Sequence, residues 1–226
     1  MGCMESQEGG IEDSRGRNVT KKSAGGMGKM GGTPKLVYFE LGGKADAIRM
    51  MLAHGKVKYE DKRLSLADRS EFLRMKESGE LPGGQVPIWV ENGRILNQSG
   101  AIAVLIAKKH GYYPADPWAS YNDDWALDNF NDIFVKQFYP LYFKDELSSE
   151  DIDGAVERFG KWNKVVDDKL RSLGSNFIGG AKPTLGDFVT FAIYKNMVFN
   201  QNTKVADLRN SLRAELVNTP NVQKWV

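Results

Sequence analysis

The first six residues carry a pattern for covalent lipid attachment. They match M-G-x-x-x-[ST], which is typical of myristoylation at the glycine that follows the initiator methionine, here Gly2. Cys3 lies beside Gly2, and its thiol can carry a second, palmitoyl, chain. One acyl chain holds a protein to a membrane only weakly, so stable anchoring needs a second chain or a basic segment. Two alternatives stay open for Gly2 and Cys3: lipid anchors at a membrane surface, or parts of an unmodified leader.

Few side chains are available for metal or disulfide chemistry. The sequence has one cysteine, Cys3, and two histidines, His54 and His110. A single cysteine excludes an intramolecular disulfide, and these three residues do not form a zinc-binding pattern. We therefore expect no metal site, no bound cofactor and a reducing, cytoplasmic location. A cysteine-based thiol reductase is also disfavoured, because the cysteine precedes the part of the chain with a folding pattern.

Composition and charge indicate a globular protein without a nucleic-acid partner. The 226 residues are 41% hydrophobic, yet no apolar run approaches the roughly 20 residues needed to cross a bilayer. The chain has 31 basic and 29 acidic residues. Residues 1–35 contain six of the basic residues and four of the acidic ones. Residues 36–226 are therefore balanced at 25 of each, which lacks the basic footprint of a nucleic-acid-binding protein.

Residues 1–34 read as a disordered tail. They hold nine of the 24 glycines and show no apolar periodicity with which a helix or strand could bury one face. Residues 15–35 are basic and contain no acidic residue, so they qualify as a second signal for a membrane surface.

The next segment predicts a small α/β unit. Strands are expected at residues 35–40 and 57–63, with a helix at 45–53 between them. A short helix at 68–76 precedes a hairpin around Asn92-Gly93, and a helix at 99–109 follows. The strand-helix-strand unit implies a parallel pair and the hairpin adds antiparallel strands, which predicts a mixed four-stranded sheet. Pro87 would interrupt a strand, so we expect a cis peptide bond at Val86-Pro87.

Beyond residue 117 the pattern is helical. Amphipathic stretches cover residues 118–142, 150–173, 184–199 and 205–216, enough for five to six helices. Thr184 and Asp187 have the spacing of a capping box at the start of the third stretch.

Six short motifs follow one another along residues 35–226. They are Tyr38-Phe39, residues 45–49, Gln85-Val86-Pro87, Asn97-Gln98-Ser99, Thr184-x-x-Asp187-Phe188 and Thr219-Pro220-Asn221-Val222-x-x-Trp225. In this order they resemble the motifs of cytosolic glutathione S-transferases, and the likeness is greatest to the classes that use a tyrosine: alpha, mu, pi and above all sigma. The resemblance implies a thioredoxin-like α/β domain at 35–112 and an all-α domain at 118–226.

The resemblance assigns the catalytic role to Tyr38. In the family, a tyrosine at the end of the first strand donates a hydrogen bond to the sulfur of glutathione and stabilises its thiolate. The alternative from the residues alone is an ordinary half-buried strand tyrosine.

The resemblance also implies a glutathione-binding set. Val86, before the cis Pro87, would pair with the cysteinyl backbone of glutathione. Gln98 and Ser99 would hold the γ-glutamyl carboxylate at the start of a helix, where the backbone amides favour an anion. Gln85 matches a side-chain ligand that some classes fill with lysine.

Four positions in this set are departures or less secure matches. Lys44 stands where the family has an arginine, so a point charge replaces a bidentate group. Arg69 stands where sigma-like members often have a tryptophan for the glycine carboxylate, and Lys76 is the competing basic candidate. Asp128 matches an acidic residue that reaches the γ-glutamyl ammonium across a dimer interface, although a surface helix charge needs no such role.

The second substrate would bind beside the first helical segment of the all-α domain. Phe138, Tyr139 and Tyr142 are the candidates for this electrophile pocket. The alternative is an aromatic stripe that packs in the core.

The function implied is a detoxifying transferase that conjugates glutathione, as co-substrate, to hydrophobic electrophiles, in a homodimer. Two alternatives are kept: a non-catalytic glutathione-binding or structural relative, and a glutathione-dependent isomerase or peroxidase.

Overall fold

The protein is described from a computed structural model, which covers residues 32–224 in enough detail to describe. The candidate lipidation site at Gly2 and Cys3 lies outside these residues, and so does almost all of the predicted tail. Membrane anchoring therefore stays a prediction.

The first part of the described chain is a mixed four-stranded sheet. Its strand order is β2-β1-β3-β4, with β1 parallel to β2 and the β1-β3 and β3-β4 pairs antiparallel. The peptide bond between Val86 and Pro87 is cis and precedes β3. The predicted α/β fold class is thereby confirmed. The strands are β1 Lys35–Phe39, β2 Glu60–Leu64, β3 Ile88–Glu91 and β4 Arg94–Asn97.

Strand β1 is central, and its side chains alternate between two cores. Leu36 and Tyr38 point to the larger core, which the sheet shares with the helices that follow. Val37 points to the opposite face, where it packs with Leu64 and Phe72. Because side chains in a strand alternate with a period of two, this pattern fixes the face on which Tyr38 lies.

Three helices accompany the sheet. The second strand begins at Glu60, three residues later than predicted, because the N–H of Val57 still donates to the carbonyl of Leu52 in the turn after the first helix. The helices are α1 Asp46–His54, α2 Ser70–Glu77 and α3 Ser99–His110.

The second part is helical, as predicted. The amphipathic stretch at residues 118–142 is divided into three helical segments. An α-helix ends at Asn129, a π-helical segment covers Phe130–Phe138, and a 3₁₀ turn covers Tyr139–Phe143. The α-helices are α4 Pro117–Asn129, α5 Ser149–Leu173, α6 Leu185–Met197, α7 Ala206–Glu215 and α8 Pro220–Gln223. Among residues 32–224, no helix has the length and apolar character needed to cross a membrane.

A buried polar cluster holds the start of α6. The carboxylate of Asp187 accepts from the N–H of Thr184 at 2.8 Å, as the capping pattern predicts, and also from the N–H of Ile178 at 2.7 Å. The hydroxyl of Thr184 donates to Asp123 of α4 at 2.6 Å. These bonds join α4 and α6 inside the helical part.

Candidate functional site

Tyr38 lies near the end of β1 with its side chain buried at 3% exposure. Its hydroxyl oxygen accepts a hydrogen bond from the backbone N–H of Lys44 at 3.3 Å. Among residues 32–224, no group accepts a hydrogen bond from this hydroxyl, so its proton is available to a ligand.

Burial raises the pKa of Tyr38 well above its ordinary value of 10.0, and the Lys44 N–H and the charge of Arg49 oppose this rise only in part. The guanidinium carbon of Arg49 lies 5.7 Å from the centre of the Tyr38 ring. At neutral pH the hydroxyl is consequently protonated, as a hydrogen-bond donor must be.

Gly43 allows the backbone to approach this hydroxyl. It has a φ of +56°, in the left-handed region, and a Cβ at this position would lie 3.0 Å from the Tyr38 hydroxyl oxygen. Both the conformation and the close approach favour glycine over residues with a side chain.

Six of the residues predicted to bind glutathione line one narrow polar cavity of about 20 Å³. They come from three segments: the loop after β1, the segment before β3, and the junction between β4 and α3. Asn97 also lines this cavity, and the sequence pattern had not assigned it a contact. The six predicted residues are Lys44, Gln85, Val86, Pro87, Gln98 and Ser99.

The junction between β4 and α3 has the properties of an anion site. Gln98 has a φ of 70°, which is costly for a residue with a side chain and is a feature that clusters at binding sites. Ser99 is the first residue of α3, where backbone N–H groups have no partner within the helix. Among residues 32–224, no side-chain hydrogen bond forms at Gln85, Gln98 or Ser99, which leaves all three available to a ligand.

Three other predicted residues lie outside this cavity. Arg69 is exposed, and its guanidinium carbon lies 5.3 Å from the centre of the Phe72 ring. Lys76 is exposed and its aliphatic chain packs near Gly84. Asp128 is exposed on α4. The structure thus does not bring either basic candidate for the glycine carboxylate to the cavity.

A second, larger cavity of about 550 Å³ opens between the loop after β1 and the helical part. Of the three residues predicted for the electrophile pocket, Tyr139 and Tyr142 line it. Phe138 does not line it and packs in the core at 1% exposure. The lining also includes further aromatic residues, several side-chain amides, and the charged residues Glu40, Asp46 and Lys195. Its other aromatic members are Phe134, Phe143 and Phe199, and its amides are Asn196, Asn200, Gln201 and Asn202.

Tyr38 is in the lining of neither cavity, but its hydroxyl lies beside one residue of each. Gly43, adjacent to the Tyr38 hydroxyl, lines the larger cavity. Lys44, whose N–H donates to that hydroxyl, lines the smaller one. The Tyr38 hydroxyl therefore contacts one residue of each cavity.

Sequence reasoning missed the residues that hold the loop between β1 and α1. Arg49 donates to the carbonyl oxygens of Leu41 at 2.6 Å and Phe39 at 3.2 Å. Asn196 of α6 accepts from the N–H of Gly43 at 2.8 Å. Arg49 could have been found from the sequence, because a basic residue on the apolar face of a helix indicates a buried partner. The sequence around Asn196 has no comparable feature. Within residues 32–224, no cluster of three or more His, Cys, Asp or Glu side chains is arranged to hold a metal ion.

Comparisons with known proteins agree with this arrangement. Residues 34–108 match the model for the glutathione S-transferase N-terminal domain. Glutathione S-transferase 2 of Caenorhabditis elegans is 30% identical over 155 residues, which cover 64% of this chain and 78% of that protein. Hematopoietic prostaglandin D synthase of Gallus gallus is 33% identical over 161 residues, 70% of this chain and 73% of that protein. The solved structure of prostaglandin synthase D of Nilaparvata lugens is similar at a TM-score of 0.65 and 25% identity, and covers 86% of this chain and 96% of that one.

Proposed function

The chain belongs to the glutathione S-transferase family, and from this premise we propose that it conjugates glutathione to hydrophobic electrophiles, with Tyr38 as the residue that activates the thiol. The observation that carries the proposal is the protonated, buried hydroxyl of Tyr38 beside Lys44 of the smaller cavity and Gly43 of the larger one.

The chemistry follows from the acidity of thiols. A free cysteine thiol has a pKa of about 8.5, so at pH 7 only a few per cent is the nucleophilic thiolate. A neutral hydroxyl that donates to sulfur stabilises the anion and lowers this pKa, and each pKa unit corresponds to about 1.4 kcal/mol. The thiolate then attacks an electrophilic carbon, the C–S bond forms, and the leaving group departs with the electron pair.

The smaller cavity supports glutathione binding. Glutathione is a peptide with two carboxylates and one ammonium group. The cavity offers the unpaired amides of Gln85 and Gln98, the hydroxyl and helix N-terminus at Ser99, and the side chain of Lys44. We assign the γ-glutamyl carboxylate to Gln98 and Ser99, and the cysteinyl backbone to Val86.

The larger cavity supports an electrophile with an apolar body. Phe134, Tyr139 and Phe143 give it an aromatic wall, which suits flat or hydrophobic acceptors.

Turnover of a generic aryl halide, measured beside retention on glutathione-agarose, tests the proposal. The Tyr38→Phe variant should keep retention and lose about 100-fold in turnover, because removal of one positioned donor to a developing anion costs about 10² to 10³ in rate. Turnover equal to the wild type would reject the role of Tyr38. Retention with no turnover in the wild type would instead favour the non-catalytic alternative.

A second candidate function is a glutathione-dependent isomerase or peroxidase. Two of the similar proteins are named as prostaglandin D synthases, which favours it. Stoichiometry separates the reactions, since conjugation consumes one glutathione per acceptor, isomerisation consumes none, and reduction of a peroxide oxidises two to a disulfide. With a lipid peroxide as acceptor, the glutathione balance therefore identifies the reaction.

The assembly and location are also proposals. We propose a homodimer, which sedimentation velocity tests, and a cytoplasmic protein recruited to membranes by acylation at Gly2 and Cys3. Cell fractionation of a Gly2→Ala variant tests the latter, and a wild type found only in the soluble fraction would reject it.

A further inference from the structure

The loop between β1 and α1, residues 40–45, is fixed by side chains from two helices. Arg49 of α1 holds its beginning through the carbonyls of Phe39 and Leu41. Asn196 of α6 holds its end, since its side-chain oxygen accepts from the N–H of Gly43 at 2.8 Å. A residue 153 positions away in the sequence therefore contacts the backbone immediately beside Tyr38.

Every polar atom of the Asn196 side chain is in use. Its oxygen accepts from Gly43, and its nitrogen donates to the carboxylate of Asp46 at 2.8 Å and to the carbonyl of Ala192 at 2.7 Å. Only an amide supplies one acceptor and two donors in this geometry. If the amide were turned by 180°, its NH₂ group would face the Gly43 N–H, and its oxygen would face the Asp46 carboxylate. Neither pair can form a hydrogen bond, so the orientation described is the favourable one.

The surrounding network leaves the loop little freedom. The Asp46 carboxylate is buried and also accepts from Lys195 at 2.6 Å. A Cβ at Gly42 would lie 2.1 Å from Asp46 Oδ2 and 2.7 Å from Asn196 Oδ1. The backbone of the loop thus packs directly against these two side chains.

Asn196 also joins the loop to the larger cavity. Its backbone carbonyl accepts from the hydroxyl of Tyr142 at 2.6 Å, and both residues line that cavity. One residue therefore contacts the loop beside Tyr38 through its side chain and the cavity wall through its backbone.

We propose that Asn196 is a positioning residue for thiol activation, acting through the backbone of Gly43 on the Lys44 N–H that donates to Tyr38. This inference rests on the proposed function. The bond from Lys44 to Tyr38 is 3.3 Å long, at the outer end of the usual range, so a small displacement of the loop would break it. A hydroxyl that loses this donor is less polarised and donates a weaker hydrogen bond to sulfur.

The test measures the pKa of the thiol of bound glutathione, by ultraviolet titration of the thiolate in the complex with the full chain. Asn196→Ala should raise this pKa by about one unit, which lowers the thiolate fraction about tenfold at a pH well below the pKa and less at higher pH. The rate constant kcat should fall with the thiolate fraction at low pH and recover at high pH, while KM for glutathione changes less than twofold.

Asn129→Ala is the matched control. Asn129 lines neither cavity and has a similar set of bonds: it donates to the carbonyl of Trp125 in its own helix at 2.8 Å and accepts from Trp162 of α5 at 3.1 Å. It should lose stability without a change in the thiol pKa.

If the alanine variant at position 196 does not fold, Asn196→Asp carries the test. Aspartate keeps the acceptor for Gly43, removes the donors to Asp46 and to the Ala192 carbonyl, and places a second carboxylate beside the buried Asp46, so we expect a rise in the same direction.

The outcomes separate the two proposals. A wild-type complex whose thiol pKa equals that of free glutathione would reject activation by Tyr38 itself. A lowered pKa in the wild type that stays unchanged in folded Asn196 variants would reject the role of Asn196 alone.

Discussion

The two cavities beside Tyr38 are built by different means. The smaller one is lined by three short segments of the α/β part, and its shape follows from their backbone, including the positive φ of Gln98. The larger one is lined by side chains of the β1-α1 loop, the segment 134–143 and the end of α6. A backbone-shaped site suits one constant ligand, whereas a site shaped by side chains can change its ligand while the fold is kept. We therefore expect substitutions to separate the binding of glutathione from that of the acceptor.

The largest effect is expected at Gly43, which lines the larger cavity and lies beside the Tyr38 hydroxyl. Gly43→Ala would place a methyl group 3.0 Å from the Tyr38 hydroxyl at a φ of +56°. Turnover should fall about 100-fold, the range seen when a positioned donor is displaced. Stability should fall by about 1 to 3 kcal/mol from the backbone conformation. Steady-state kinetics and thermal unfolding measure the two effects.

Gly79→Ala is the control for Gly43→Ala. Gly79 has a φ of +77°, but no atom lies within 4 Å of a Cβ at that position. It should show the loss of stability without the loss of turnover. Equal turnover in both variants would contradict the importance of the close approach to Tyr38.

The next effect is confined to the smaller cavity. Ser99→Ala should raise KM for glutathione about tenfold, since a hydrogen bond to a charged group contributes roughly 1.5 to 3 kcal/mol. KM for the acceptor and kcat should stay the same. Ser70→Ala is the control, because Ser70 also begins a helix but lies outside both cavities. A change in acceptor KM for Ser99→Ala would show that the two sites are not separable.

The smaller cavity could be predicted from the sequence because its residues form short contiguous motifs. Local geometry sets the side-chain positions of both motifs. Residues 85–87 form the segment before β3, and residues 97–99 lead into the first turn of α3. The place of Tyr38 at the end of the first strand likewise followed from a short apolar run with a glycine pair after it. The positions of Arg69 and Lys76 relative to the cavity could not be derived in this way. They belong to no short motif that includes a cavity residue, and the loop between them and Gln85 has no pattern that fixes its path.

The larger cavity could be predicted only in part. The resemblance and the aromatic content of the first helical segment assigned Phe138, Tyr139 and Tyr142 to one wall, but the π-helical segment widens the turn there. Phe130, Phe134 and Phe138, spaced by four residues, are all buried as a result. Asn196 was missed because its partners lie in a loop 153 residues earlier, a contact that only the packing of α6 against α1 creates.

A third region should respond to pH independently of both cavities. Burial raises the pKa of Asp123 to about 6, although Thr184 and Gly186 donate to it. Because the folded state holds this proton more tightly than the unfolded state, where the pKa is about 3.9, the free energy of unfolding should fall as pH rises from about 4 to 6. Between pH 5 and 7 the loss should be roughly 1 kcal/mol. Asp123→Asn keeps an oxygen for both donors and should flatten this slope in urea unfolding.

Asp187 faces the same cluster, and burial raises its pKa too, so a residual slope of the same sign is expected in the Asp123→Asn variant. The pH profile of turnover should be the same in this variant and the wild type, because neither aspartate lines a cavity. A shifted turnover profile would show that the helical cluster and the active site are coupled.

The smallest effect on catalysis is expected for Tyr139, which lines the larger cavity, and the adjacent Phe138 provides the comparison. Tyr139 and Phe143 both line that cavity, and their ring centres lie 4.9 Å apart. Phe138, by contrast, is buried in the core. Tyr139→Leu should change KM for an aryl acceptor about threefold through lost aromatic contact of roughly 0.5 to 1.5 kcal/mol, with KM for glutathione unchanged. Phe138→Leu should instead lower stability by about 1 to 3 kcal/mol and leave both KM values as they are. If Phe138→Leu alters acceptor KM more than Tyr139→Leu does, then Phe138 contacts the acceptor, as the sequence analysis expected, and the assignment of Phe138 to the core is rejected.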